Sequence, residues 1–411
     1  MYALDARRVY LLYSLLAAMF FGLYSTYNVV YYVSALQLNP LQLVLIGTTL
    51  EATAFLCEVP TGIVADLYSR KLSIIIGHVL IGLGFMVSAT PDFTVVLLAQ
   101  VIWGLGWTFT SGATGAWITD EIGESNVGPV FMRGAQAGSV GGLLGVLAGT
   151  ALVSLGLPVP LLVGGALHVV LALLLAVIMR ETGFSPAPRT SHNPFRQMTS
   201  TFRDGLRAVR GRTILIMLLT VSLFWGMASE GFDRLWQKLM LDNFTFPTIG
   251  VLDPVTWFGV FSIAGSLLAI AGNEVIRRRV DTRDPRALAR ALLGISAALI
   301  AGVLAFALAG SFEVAVIALL LVGTLRNVNW PLFDTWVNRQ VDSRVRATVL
   351  SMTSQVDAVG QIAAGPVLGL VGLNLSVRVA IFVAGLLLSP ILLLYTRALR
   401  RTQPAEEAAV P

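Results

Sequence analysis

The sequence predicts an all-α membrane protein of twelve transmembrane helices, arranged as two pseudo-symmetric halves of six. Three observations predict it. Apolar runs of about 20 to 25 residues, the length that crosses a bilayer, recur along the 411-residue chain. Only 12% of residues are charged, while 56% are AVILMFWYC before 39 Gly are counted; soluble domains carry about 25% charge. The basic residues gather in alternate connections. A mean hydropathy of +0.78 excludes a soluble enzyme, a nucleic-acid-binding domain and a disordered regulator, because none of these could clothe such a composition in water.

Bounded by Pro, Gly, Asn or charge, the runs place helices at roughly 10–33, 41–65, 72–90, 93–119, 130–155, 158–180, 213–237, 254–276, 287–309, 314–337, 347–371 and 377–399. Arg7 and Arg8 precede the first run, which is too long for a signal-peptide core and lacks a small-residue cleavage site, so it counts as the first span. The connections on one side hold Arg7, Arg8, Arg70, Lys71, Arg133, the Arg residues from Arg180 to Arg212 and from Arg277 to Arg290, then Arg339, Arg344, Arg346, Arg397, Arg400 and Arg401. These are 24 of the 28 basic residues, Arg234, Lys238, Arg326 and Arg378 being the others. The positive-inside rule therefore predicts both termini to be cytoplasmic in a multi-pass plasma (inner) membrane protein.

The longest connection divides the chain into an N-terminal half (1–180), a basic linker (181–212) and a C-terminal half (213–411). Within the linker Phe195, Met198, Phe202, Leu206 and Val209 share one helical face, with Arg196, Arg203, Arg207 and Arg210 elsewhere. That pattern predicts an amphipathic helix lying on the anionic inner leaflet. Cys57 is the single cysteine, and His78, His168 and His192 fit no ligand spacing. Neither a metal nor a cofactor is expected.

After span two, Gly62-Ile63-Val64-Ala65-Asp66-Leu67-Tyr68-Ser69-Arg70-Lys71 resembles the G-x-x-A-D-R-x-G-R-K signature that the major facilitator superfamily carries between spans two and three. Leu67 and Ser69 depart from it, standing where Arg and Gly are usual. Glu58-Val59-Pro60-Thr61-Gly62 is similar to the drug-efflux branch. Against antiport, Gln100 takes the place of a buried Arg in span four, and the glycine run Gly138, Gly141, Gly142, Gly145, Gly149 lacks the antiporter Gly-Pro pair. A Gly-Pro occurs instead at Gly365-Pro366, where span eleven can bend. The resemblance implies the major facilitator fold and alternating access. It also implies an inner gate in which Arg70 pairs with Asp120 and Asp66 approaches the start of span eleven.

Charged residues inside spans mark functional positions. Here they are Glu51 and Glu58 (span two), Glu230, Asp233 and Arg234 (span seven), Arg326 (span ten) and Asp357 (span eleven). The resemblance implies that spans ten and eleven are neighbours, and so that Asp357 holds Arg326, while Glu230 and Arg234, at i, i+4, predict a local pair. A buried carboxyl with no cation beside it favours its neutral form. Glu51 and Glu58, with no base on their span, are therefore the expected proton carriers ahead of Asp357. In this superfamily spans one, four, seven and ten line the central cavity, and on them Tyr24, Tyr27, Trp103, Trp107, Glu230, Arg326 and Trp330 are the expected substrate contacts. Apolar walls with few polar groups suit a lipophilic compound, and aromatic faces can hold a cation.

The expected function is thus a monomeric proton-coupled antiporter exporting lipophilic small molecules, with protons and membrane lipids as its other partners and no nucleic acid. An importer or lipid flippase, in which Arg326 binds an anionic group, is the alternative within the fold, and a non-transporting receptor or scaffold the alternative outside transport. No nucleophile–base set marks an enzyme, and no G-x-x-x-x-G-K-[ST] loop marks an ATP-driven pump.

Overall fold

The computed structural model describes residues 5–186, 213–248, 253–340 and 343–401, the side chains of 340, 343–348 and 401 excepted. The amphipathic helix expected over 195–210 lies outside the described residues. Twelve helices are long and apolar enough to cross a membrane: α1 (Ala6–Ser34), α2 (Pro40–Leu67), α3 (Arg70–Val87), α4 (Phe93–Ile122), α5 (Glu124–Leu155), α6 (Val159–Ile178), α7 (Thr213–Asn243), α8 (Thr256–Arg279), α9 (Pro285–Ala307), α10 (Phe312–Arg339), α11 (Val349–Asn374) and α12 (Val377–Arg400). No strand occurs among the described residues. This is an all-helical, multi-pass membrane protein.

Local chemistry sets the helix starts. Asn39 and Gln42 close a reciprocal capping box ahead of Pro40. Ser69, Asp92, Asp284 and Ser376 each accept a backbone N–H at the heads of α3, α4, α9 and α12. The sequence pattern set three helices short: α7 runs on to Asn243 and not 237, and two helices begin earlier. α1 begins at Ala6, where Asp5 caps it. α5 begins at Glu124 and runs through Pro129, because the carbonyl that Pro129 leaves unbonded belongs to Ser125 in an exposed first turn.

Two spans are interrupted. α1 breaks between Ser25 and Asn28, where the Thr26 hydroxyl donates to the Gly22 carbonyl at 2.8 Å. α4 breaks after Thr110, and Gly112 takes φ +70°, a left-handed conformation suited to glycine. α11 runs unbroken through Pro366.

The chain forms two compact units, Met1–Thr199 with Phe246–Ile263 and Ser200–Thr245 with Ala264–Pro411. In the first, α1 packs chiefly on α5 and α6, and α3 on α4 and α6. In the second the same neighbours recur six helices later: α7 on α11 and α12, α9 on α10 and α12. Glycines permit the two closest crossings. A methyl group at Gly141 or Gly145 would run into the carbonyl oxygens of Leu15 or Met19 on α1, and one at Gly226 or Gly360 into those of Asp357 or Leu223 between α7 and α11. Such residues let helix backbones approach where no hydrophobic effect drives association. The lone thiol, Cys57, is half-buried and free.

Candidate functional site

Three groups of polar residues lie within the apolar helices, each inside one unit. The first surrounds the turn from α2 to α3. Arg70 donates from Nε to Asp120 Oδ2 at 2.6 Å and from Nη1 to Asp66 Oδ1 at 3.0 Å. All three expected gate residues therefore meet on one guanidinium. The expected approach of Asp66 to the start of span eleven falls on residues whose side chains lie outside the described set. Ser69, read from sequence as a departure, has two uses: its hydroxyl caps Leu72 N and donates to Glu181 Oε2 at 2.5 Å. Glu181 also accepts from Lys71 N at 3.0 Å, while Glu121 accepts from Thr182 N (2.5 Å) and Gly183 N (2.7 Å). The chain leaving α6 is thereby strapped to the α2–α3 turn and to the end of α4. Sequence reasoning missed Glu121 and Glu181, since both lie at or beyond helix ends, where acids look merely solvated.

The second group is on α2. Glu58 is half-buried and accepts from the Ser111 hydroxyl at 3.1 Å, at the point where α4 breaks. Glu51, two turns earlier, is also half-buried.

The third group is in the C-terminal unit. Arg326 is held by an acid, as expected, but the acid is Asp233 and not Asp357. The guanidinium grips that carboxylate with both terminal nitrogens, Nη1 to Oδ1 and Nη2 to Oδ2, the latter at 2.8 Å. A fork-to-fork pair of this kind occupies one edge of the guanidinium. Asp357 instead accepts from Gln361 Nε2, one turn along α11, at 2.8 Å. Glu230 is buried and pairs with Arg234 at 3.2 Å, as its spacing predicted. Phe232 lies 5.7 Å under the Arg326 guanidinium. A cavity of about 10 Å³, room for about one water molecule, adjoins Arg326 and is lined also by Trp225, Ser229 and Phe232.

The expected aromatic contacts divide. Tyr24 is fully buried, stacked on Phe85 with centroids 3.7 Å apart and edge-on to Trp103 at 5.3 Å. Tyr27 is fully buried too, donating to Thr150 Oγ1 at 2.9 Å. Both rings are thus packed inside the N-terminal unit, Tyr24 ahead of the break in α1 and Tyr27 within it. Trp103 is packed with them, whereas Trp107 and Trp330 are 52% and 51% exposed. His78 and His168, unrelated by any sequence spacing, face each other across α3 and α6 with their Nδ1 atoms 3.1 Å apart. Only one of the two can donate in that bond. No cluster of three or more metal-ligating side chains occurs among the described residues.

Against known proteins, the profile of the Major Facilitator Superfamily matches residues 9–365. The chain is 23% identical over 393 residues to the uncharacterized MFS-type transporter YxaM of Bacillus subtilis (strain 168), covering 93% of this chain and 94% of that one. In fold it is similar to the nucleoside transporter NupG (TM-score 0.72, 15% identity, 96% of this chain and 99% of that one). It is similar also to a bacterial homologue of the human lysosomal transporter Spinster (TM-score 0.74, 15% identity, 97% and 98%). A D-xylose–proton symporter aligns with a TM-score of 0.68 at 13% identity, over 93% and 97%. The signature residues at the α2–α3 turn, the twelve helices and a match spanning most of the length agree: this chain belongs to the major facilitator superfamily.

Proposed function

We propose that the protein is a secondary active transporter that works by alternating access and exports lipophilic organic compounds in exchange for protons, with both termini on the cytoplasmic side of the cell membrane. The observation that carries the reading is Glu58: a half-buried carboxyl on a membrane-spanning helix, bonded to a hydroxyl at the break of α4. A protonatable group tied to an interrupted helix is what an ion-coupled transporter requires, since loading a proton changes the bonding of a helix that can move. The similarity of fold to a proton symporter supports the premise that this architecture accommodates proton coupling. The lipid flippase or anion importer is disfavoured by the Arg326–Asp233 pair, because an anionic group would have to displace a bidentate carboxylate.

Flux in proteoliposomes, with and without an imposed pH gradient, across a panel of lipophilic cations, anions and lipids, tests the reading. Glu58→Gln is expected to abolish gradient-driven transport while sparing substrate exchange without a gradient, and Glu51→Gln serves as the comparison. If both variants keep full gradient-driven transport, neither glutamate is the carrier.

A further inference from the structure

A groove of about 420 Å³ runs between α9 and α10 of the C-terminal unit. Ala298, Ala301 and Ala305 form one wall and Val314, Ile317 and Leu321 the other, and every side chain lining it is apolar. The groove exists because α9 presents methyl groups on this face where α10 presents larger side chains. All six of these residues are exposed, whereas Leu299, Val303 and Val322, beside them in sequence, turn inward and line the cavity next to Arg326. The groove therefore opens on the outside of the unit.

Its depth limits what can fill it. Ala298 to Ala305 and Val314 to Leu321 each rise about 10 Å, and Val314 stands two residues from the start of α10. Against a hydrocarbon core about 30 Å thick, the groove belongs to one leaflet, the one on the side of the α9–α10 connection. Water gains nothing from such a lining, because a buried water needs about two to four polar partners. A helix of a second copy is about 10 Å across, as wide as the spacing of two packed helices, so it can lie over the groove but not in it. A bilayer supplies acyl chains at this depth, and a single methylene chain is thin enough to enter.

Charge at the mouth selects the headgroup. Glu313 precedes Ile317 by one turn of α10 and shares its face. Its exposed carboxylate accepts from Ser311 and from its own backbone N–H, both neutral donors, and is in no ion pair among the described residues. Nearby charges at this end of the unit are engaged: Lys238 pairs with Asp242 at 3.0 Å, and Arg378 donates to Asn243 and to the carbonyl oxygens of Ala307 and Ala309. Glu313 and Arg378, both held by neutral partners, leave one charge of each sign, which is the pattern of a zwitterion. A primary ammonium can also donate hydrogen bonds to the carboxylate; a quaternary ammonium has none to give.

We propose that the α9–α10 groove binds one phospholipid with a primary-ammonium headgroup, its acyl chain lying between Ala301 and Ile317 and its ammonium on Glu313. The lipid is a resident and not a cargo. It fills the seam beside the close approach of Gly302 to Val322, and so braces α9 against α10.

Delipidated full-length protein in detergent, titrated with phosphatidylethanolamine, phosphatidylcholine or phosphatidylglycerol of identical acyl chains and followed by native mass spectrometry, tests the site. Wild type is expected to retain one phosphatidylethanolamine about two- to fivefold more tightly than either other lipid, the worth of an exposed ion pair. Glu313→Gln should still retain a lipid but lose that preference. Ala301→Phe, which puts a ring into the groove from its exposed wall, should lose retention of all three, with Ala305→Phe as a second filling variant. Leu393→Phe, an exposed position on α12 clear of the groove, should bind like wild type. Thermal unfolding of the same samples separates site from fold: the filled variants should unfold at the wild-type temperature without lipid and gain nothing from phosphatidylethanolamine. Equal retention of the three lipids, preference for phosphatidylglycerol, a Glu313→Gln variant that still selects phosphatidylethanolamine, or retention untouched by both filling variants each overturns the proposal. So does a wild-type dimer that Ala301→Phe dissociates, which would make the groove an interface between copies.

Discussion

Arg326 serves one carboxylate fully and a second at a distance, and this division is measurable. Replacing Arg326 by Ala leaves Asp233 without its guanidinium partner, so the Arg326→Ala, Asp233→Ala double variant should lose less stability than the sum of the two single losses. A coupling of about 0.5–3 kcal/mol is expected for that pair, read from thermal unfolding of the four purified proteins. The partial exposure of both side chains, 27% and 43%, places the value in the lower part of the range. The corresponding cycle with Asp357 should give a smaller coupling, and equal couplings would mean that the arginine is shared evenly. Hydrophobic patterning located Arg326 and Asp357 at mid-helix but misassigned the partner, for a physical reason. Periodicity along one helix reports how deep a residue lies in the membrane; it does not report which neighbour its face meets. The His78–His168 contact escaped notice for the same reason, whereas Arg70–Asp120 was legible because a family motif carries relations between helices that a single sequence does not.

At the scale of the element, the crossing of α1 and α5 is made by backbone on backbone. Gly145→Val should push α1 away or strain its own helix, costing about 1–3 kcal/mol as overpacking does, and a lowered unfolding temperature measures it. Gly142→Val is the control, because nothing lies within 4 Å of a methyl group built there; equal losses at both positions would show that helix propensity and not the crossing sets the cost. The run of glycines was visible in the sequence, but which of them touch α1 was not, since a stripe at three- and four-residue spacing wraps partly around the helix. Element ends were legible where a side chain caps them, as at Asn39 and Ser376, and obscure where Pro129 sits in a first turn that water can satisfy.

At the scale of the whole molecule, span number was the most legible property, because a bilayer demands about 20 apolar residues per crossing and satisfies backbone groups only within helices. The distribution of arginine and lysine carries the orientation. A phosphatase reporter that works only outside the cytoplasm should be active when fused after Asp92, in the α3–α4 connection, and inactive when fused after Arg70. The opposite pattern would invert the proposed topology. Much less of the candidate site could be read in this way, since Glu121, Glu181 and the Asp233–Arg326 pair all depend on which helices become neighbours. The recurrence of the same packing partners six helices later does have a sequence correlate, the glycines that fall at both α1–α5 and α7–α11.

Cys57 occupies the position immediately before Glu58 on α2, half-buried, and it is the only thiol in the chain. Nature has therefore already made the single-cysteine protein that labelling studies ordinarily have to engineer. The rate at which a maleimide alkylates the unmodified polypeptide becomes a clock for how often the surface beside the proposed proton carrier opens to the aqueous phase, with no second site to contribute background and no substitution to disturb the helix being watched.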